Sequence, residues 1–251
     1  MYSTLCAHLI VLILPSIALV GDFEIGVQAF EKMDFDSAVR NFTKAIEANP
    51  KSPAAYFYRG LTYREMREYD KAIGDFSEAI RFEPAPAPCY GNRGMVYSEK
   101  REFEKAIKDL DQAVRLEPKN AIPYAGRGII YEKTRRYEKA EADYKTAIGL
   151  DLKLSAGLNN LAWLRATCPD PKFRDGKNAV ELATQACELS GWMAWFELNT
   201  LAAAHAENGN FKEAVRWQKK AIEIGIHDKV FRDKAIHRLN LYENGKPYRQ
   251  E

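Results

Sequence analysis

The segment RGLTYREMREYDKAIGDFSEAI, residues 59 to 80, returns in altered form as RGMVYSEKREFEKAIKDLDQAV from 93 and as RGIIYEKTRRYEKAEADYKTAI from 127, a spacing of 34 residues each time. A fixed period of that length describes small supersecondary units, each of which buries its apolar face only when a neighbour stacks on it. Length alone, 251 residues with 46% hydrophobic content, would allow one or two globular domains. The period overrides that reading in favour of an array.

Small residues keep the beat. Gly26, Gly60, Gly94 and Gly128 are 34 apart, as are Ala38, Ala72, Ala106 and Ala140, and then Ala45, Ala79, Ala113 and Ala147. Small side chains at fixed helical positions let two helices approach, and large ones on the same period fill the space beside them. The large set comprises Tyr56, Tyr90 and Tyr124; Tyr63, Tyr97 and Tyr131; Phe35, Tyr69, Phe103 and Tyr137; Phe42, Phe76, Leu110 and Tyr144. Pro50, Pro84 and Pro118 follow the second segment of their units, where proline is expected to stop a helix because it lacks the backbone donor.

This order of Tyr, Gly, Tyr, Ala, aromatic, Ala and Pro resembles the tetratricopeptide repeat. The resemblance implies an all-α, right-handed α-solenoid of about six helix-turn-helix units, at 19–52, 53–86, 87–120, 121–154, 155–193 and 195–228. Residues 229–251 are expected to form a capping helix and tail, with Val230, Ile236, Leu239 and Leu241 as its apolar positions and Gly245 as its stop. The first unit has Asp22 and Ala29 where others carry Tyr, which suits an atypical cap. The fourth has Leu152 in place of proline. The fifth adds about five residues between its helices, where Pro169 and Pro171 break the first helix and Asp175 is placed to cap the second. Its small residues become Ala162, Ala179 and Ala186.

Composition excludes several functions. Lys and Arg total 37 against 35 Asp and Glu, with the signs interspersed, so no basic stripe is offered to a nucleic acid. The Glu-rich and Lys-rich segments are accounted for by exposed i to i+4 pairs. No nucleophile with its base, no paired carboxylates and no metal-ligand spacing emerges. His205, His227 and His237 lack an HExxH or HxxxH context, and His205 stands where other units place tyrosine, a packing position. There is no CxxC. Cys168 and Cys187, at opposite ends of a helical hairpin, would lie about 15 Å apart by helical rise, beyond disulfide reach. Free thiols follow, and Cys168 has no neighbouring cation or helix start to activate it. The expectation is a protein that is not an enzyme and takes no cofactor and no metal.

The apolar block LIVLILPSIALV from Leu9, ending in Ser16-Ile17-Ala18, reads as a signal peptide over residues 1–18 and points to export, periplasmic or secreted. The alternatives are membrane anchoring through residues 4–20, although His8 and Pro15 interrupt that stretch, or an apolar cap helix on a cytoplasmic chain.

In the family, the first helix of each pair lines a concave groove. Carried onto this chain, the inward positions are Phe57, Tyr58, Leu61 and Arg64; Asn92, Met95 and Glu99; Ile129, Glu132 and Lys133; Asn159, Asn160 and Trp163; and Phe196 and Asn199. Aromatic rings beside amides suit recognition of an extended peptide, whose backbone the amides can pair. The alternative for Tyr58, Trp163 and Phe196 is packing between repeats. A carboxylate clamp found in some relatives is not reproduced: Phe57, Leu61, Ile122 and Gly126 replace its polar residues, and Asn92 alone matches. The expectation is an interaction scaffold that binds an unidentified protein or peptide in the groove. The alternatives are a self-associating structural protein, through Trp192, Trp195 and Trp217, or a non-catalytic subunit of an enzyme complex.

Overall fold

A computed structural model describes residues 20–82, 86–225 and 229–250. The apolar leader over residues 1–18, with Cys6 and His8, the anchoring stretch built on it, Pro84 and His227 lie outside them. The described residues form thirteen α-helices and no strand: α1 Val20–Glu31, α2 Phe35–Ala48, α3 Pro53–Glu65, α4 Tyr69–Ile80, α5 Ala87–Glu99, α6 Phe103–Leu116, α7 Ala121–Lys133, α8 Tyr137–Leu150, α9 Ser155–Thr167, α10 Gly176–Leu189, α11 Trp195–Glu207, α12 Phe211–Gly225 and α13 Lys229–Glu243. The chain divides into two compact units, one reaching to Val96 and the other beginning at Tyr97, with the division inside α5.

In the unit up to Val96, α1 packs on α2 and α3 on α4, through the small-to-large pairing legible in the repeats. A methyl on Gly26 would stand 2.6 Å from the Phe42 ring, and one on Gly60 would stand 2.9 Å from Phe76. Both rings are fully buried, so neither can retreat. Phe57 and Tyr58 close the same core, Tyr58 meeting Phe23 edge-on at 5.5 Å and Phe57 meeting Phe76 at 5.8 Å.

The unit from Tyr97 repeats the device in α7 and α8, where a methyl on Gly128 would lie 2.5 Å from Tyr144. In the next pair the glycine becomes Ala162, and the facing position becomes Ala183 in α10. Both are fully buried in one apolar cluster with Leu198 and Leu201 of α11. Volume lost on one helix is regained on the other, which keeps the pair close.

Within every pair but α9–α10 the connection is a left-handed residue at one repeat position: Met33, Arg67, Arg101 and Arg135, and Gly209 in the last pair, all with φ between 58° and 78°. The pattern Glu68 N–H to Tyr63 O at 2.8 Å with Arg67 N–H to Arg64 O at 2.9 Å recurs at each and satisfies the last helical carbonyls. The next residue then opens the second helix. Asp34 does so with a side-chain cap on Ser37 N–H.

Two sequence expectations need adjustment. α2 and α6 do end just before Pro50 and Pro118, but proline is not required for the stop: α8 ends at Leu150, in register with Leu116 of α6 and as long, with Leu152 standing where α6 is followed by Pro118. The end is made by the backbone, through Asp151 N–H on Ala147 O at 3.0 Å as Glu117 N–H sits on Ala113 O. The apolar face of α13 is also not Val230 and Ile236, which are exposed. Ala235, Arg238 and Tyr242 are its buried positions, with Leu239 and Leu241 half-buried. Spaced three and four apart, they form the stripe that packs toward α12 and caps the core.

The insertion after α9 is ordered by its own contacts. Asp170 accepts from Lys172 N–H, a short 3-10 turn at Pro171–Phe173 buries Phe173 against Tyr137 at 5.6 Å, and Asp175 N–H returns to Arg165 O. Asp175 then caps α10 by accepting from Asn178 N–H, as its spacing predicts.

Candidate protein-interaction face

In the first unit most of the expected inward residues are structural. Phe57 and Tyr58 are buried core rings rather than groove residues, Tyr58 because it packs on Phe23 of α1 and Phe42 of α2, and Phe57 because it packs on Phe76 of α4. Leu61 and Met95 are half-buried. Asn92 donates to Pro88 O at 2.9 Å and accepts from Arg64 at 3.5 Å, so its amide is held within the unit.

In the second unit α7, α9 and α11 lie side by side, since α9 packs on both its neighbours. Their inner positions bring together Glu132, Asn159, Asn160, Trp163 and Asn199. The three asparagines are buried, and Asn159 Oδ1 and Asn160 Nδ2 have no hydrogen-bond partner among the described residues. A buried amide left unpaired costs about 1–3 kcal/mol, so these two atoms mark a place where polar capacity is held in reserve. Ile129 and Phe196 are half-buried, and Glu99 and Lys133 are exposed, with Lys133 Nζ 3.4 Å from Ser98 Oγ.

The face is partly covered by the chain itself, which the sequence reading missed. Gly245 ends α13 at φ 65°, with Lys246 N–H on Leu241 O, and residues 246–250 run back without regular structure. Arg238 of α13 donates to Asn199 Oδ1 at 3.0 Å, and its guanidinium lies 5.6 Å from the Trp163 ring and 5.4 Å from Tyr248. Tyr248 itself meets Trp163 at 5.9 Å. Gln250 donates from its backbone to Thr167 O at 3.0 Å, and from Nε2 to Thr167 Oγ1 at 2.8 Å and Glu132 Oε1 at 2.7 Å. Arg249 lies 2.6 Å from Glu207 Oε2 as an ion pair, off the direction of a hydrogen bond. Burial pushes the Glu132 carboxyl above the ordinary carboxylate range, against the opposing pull of its bonds from Gln250 and Tyr144.

A second set of residues was also overlooked. Arg59 donates two bonds to Asp75, at 2.7 and 2.8 Å, and one to Thr43 at 3.0 Å. Arg127 does the same with Asp143 at 2.8 Å twice and Asp111 at 2.7 Å. The signal was present in the repeated Arg-Gly dipeptide, whose arginine lies 16 residues from each partner and joins three helices.

Cys89, Cys168 and Cys187 are free and buried, with the thiols of Cys89 and Cys187 pushed up to about 12 by desolvation. Cys168 shifts upward for the same cause, the reverse of an activated thiol. Trp192 stacks on Trp217 at 5.1 Å and Trp195 meets Phe231 at 5.6 Å, so each indole expected at a self-association edge is engaged within its own chain. Among the described residues no cluster of His, Cys, Asp or Glu could hold a metal, and no helix is long and apolar enough to cross a membrane.

Comparison with known proteins agrees with the architecture. Tetratricopeptide-repeat families match residues 23–87, 87–120, 123–154 and 198–226. No curated protein matches the chain significantly. Among solved structures, the APC/C hetero-tetramer Cut9–Hcn1 is similar at 16% identity and TM-score 0.76, over 88% of this chain and 42% of that one. This chain therefore spans less than half of that relative. PilW, a type IV pilus biogenesis factor, is similar at 15% identity and TM-score 0.70, over 88% of this chain and 100% of its own. YrrB, described as a TPR protein with an unusual peptide-binding site, is similar at 20% identity and TM-score 0.51, over 78% and 96%. With an all-helical fold among the described residues, the 34-residue period and these matches, the chain belongs to the tetratricopeptide-repeat family.

Proposed function

We propose that the chain is an adaptor whose second unit takes an extended peptide of a partner protein on the inner face of α7, α9 and α11. The observation that carries this is the row of buried asparagines beside Trp163, with Asn159 Oδ1 and Asn160 Nδ2 unpaired among the described residues. An extended backbone offers a donor and an acceptor at every residue, which is the complement two unpaired amide atoms need. The indole supplies rigid contact area at small entropic cost. The description of YrrB as peptide-binding supports the same use of a fold like this one. The first unit, with Phe57 and Tyr58 in its core, is assigned the role of scaffold.

The test is capture of partners from the source cell by the tagged chain and by its Asn160→Ala/Trp163→Ala variant, with circular dichroism confirming that both are helical. The variant is expected to lose a stoichiometric partner. Full retention would remove the inner face as the site. The apolar block from Leu9 supports export of this adaptor, and the mass of its mature amino terminus in each cell fraction checks that assignment.

A further inference from the structure

We propose that residues 246–250, Lys-Pro-Tyr-Arg-Gln, are a resident ligand of the inner face, which a partner must displace, and that the partner segment is an extended peptide of the same chemistry: an aromatic residue followed by a basic one and an amide. This rests on reading the face as peptide-binding. The occupant is identified by the segment itself. It has no regular structure, Gly245 turns it back along the inner face, and Pro247 favours an extended course. Its three distal side chains each meet a different class of partner: the Tyr248 ring on Trp163, the Arg249 charge at Glu207, and the Gln250 amide on Thr167 and Glu132. Gln250 also gives its backbone N–H to Thr167 O, a main-chain contact that any peptide in this register would reproduce.

The hold is suited to exchange. Two contacts of the Tyr248 ring, with Trp163 and with the Arg238 guanidinium, one ion pair and three hydrogen bonds keep the segment in place, and it stays there because its tether gives it a high local concentration, on the order of millimolar. A partner in trans meets a face that is open only part of the time, so its apparent affinity falls by the open fraction. Arg238 belongs to α13 rather than to the strap and remains to close over the incoming ring, as it does over Tyr248.

The test uses a labelled synthetic peptide, Gly-Lys-Pro-Tyr-Arg-Gln, and fluorescence anisotropy. Three proteins are titrated: the full chain, the chain shortened after Gly245, and the full-length Tyr248→Ser/Arg249→Ser/Gln250→Ser variant, which keeps the backbone should shortening disturb α13. The peptide is expected to bind the shortened and triple-variant proteins about tenfold or more tighter than the full chain, corresponding to a face open a tenth of the time or less. Trp163→Ala in the shortened chain is expected to abolish that binding. Equal affinity for all three proteins, or no binding to either altered protein, would overturn the resident-ligand proposal. If the Asn160→Ala/Trp163→Ala capture experiment still loses its partner in that case, the face binds peptides of other chemistry. If neither experiment responds, the peptide-binding reading fails as well.

Discussion

Gly60 and Phe76 show how little tolerance the repeat has at a single atom. A methyl on Gly60 would lie 2.9 Å from Phe76 Cε1, inside the distance that carbon atoms accept, and the ring is fully buried. Gly60→Ala is therefore expected to destabilise the protein by about 1–3 kcal/mol. Phe76→Leu makes room, as Leu110 does at the equivalent position, so the double variant should be more stable than the sum of the two single losses predicts. Urea unfolding of the four proteins measures that coupling, and simple additivity would show that the two positions do not share one space. At Glu132 the decisive quantity is charge. Its folded-state pKa is raised from 4.5, chiefly by desolvation, with Gln250, Tyr144 and Lys133 pulling the other way. The folded state then binds the proton more tightly than the unfolded chain. That contribution to stability is complete below pH 4.5 and is lost as the pH rises through the folded value. Glu132→Gln should thus match the parent near pH 4 and exceed it increasingly toward pH 7. A stability difference that does not change with pH would contradict the assignment.

At the scale of the helix, the ends are made by backbone geometry that side chains then exploit. Asn49, Glu117 and Asp151 close α2, α6 and α8 with φ between −144° and −130° and positive ψ, which is the extended region that a following proline requires. Pro50 directly follows Asn49 and Pro118 directly follows Glu117, whereas Asp151 is followed by Leu152, which is exposed. Since α8 already ends there, Leu152→Pro is expected to stabilise the protein by about 0.4–1 kcal/mol by restricting the unfolded chain alone. A rise in the urea midpoint with an unchanged slope is the result that fits, and a loss of stability would mean that the Leu152 N–H or its φ is needed in the fold. The same backbone control explains why the turns inside each pair were hard to read. Met33, Arg67, Arg101 and Arg135 adopt left-handed φ without being glycine, so no residue type announces the turn, and only Gly209 does.

Across the whole chain, what could be read from the sequence is what repeats. Gly26, Gly60 and Gly128 against Phe42, Phe76 and Tyr144 is a size rule that recurs every 34 residues, and it made the helix pairs legible. The strap was not legible, because Gln250 meets Glu132 across 118 residues of chain and neither belongs to a periodic set. Tyr58 was misplaced because an inward position in one repeat can be covered by the repeat before it, here by Phe23 and Phe42. The arginine rung lies between these cases: Arg59, Arg93 and Arg127 are periodic, and so are Asp75, Asp109 and Asp143, but attributing helix charges to exposed i to i+4 pairs hid a bond to the neighbouring helix. The chain carries its own alternative to this rung. At the equivalent positions of the last two pairs stand Leu161 with Leu182 and Leu201 with Trp217, all packed in apolar clusters. The same layer is thus built once with charge and once with hydrocarbon, which makes the energetic comparison direct. The side chains of Arg59 and Asp75 are 17% and 9% exposed, so Arg59→Leu alone strands a largely buried carboxylate and is expected to cost about 3 kcal/mol. Arg59→Leu/Asp75→Leu removes the desolvation penalty of both charges and copies the apolar rung, so it should return to within about 1 kcal/mol of the parent or exceed it. Chemical unfolding of the parent, the single and the double variants decides the matter. A double variant less stable than Arg59→Leu alone would mean that the rung holds its helices together through the geometry of its hydrogen bonds to Thr43 and Asp75, which no apolar pair can replace.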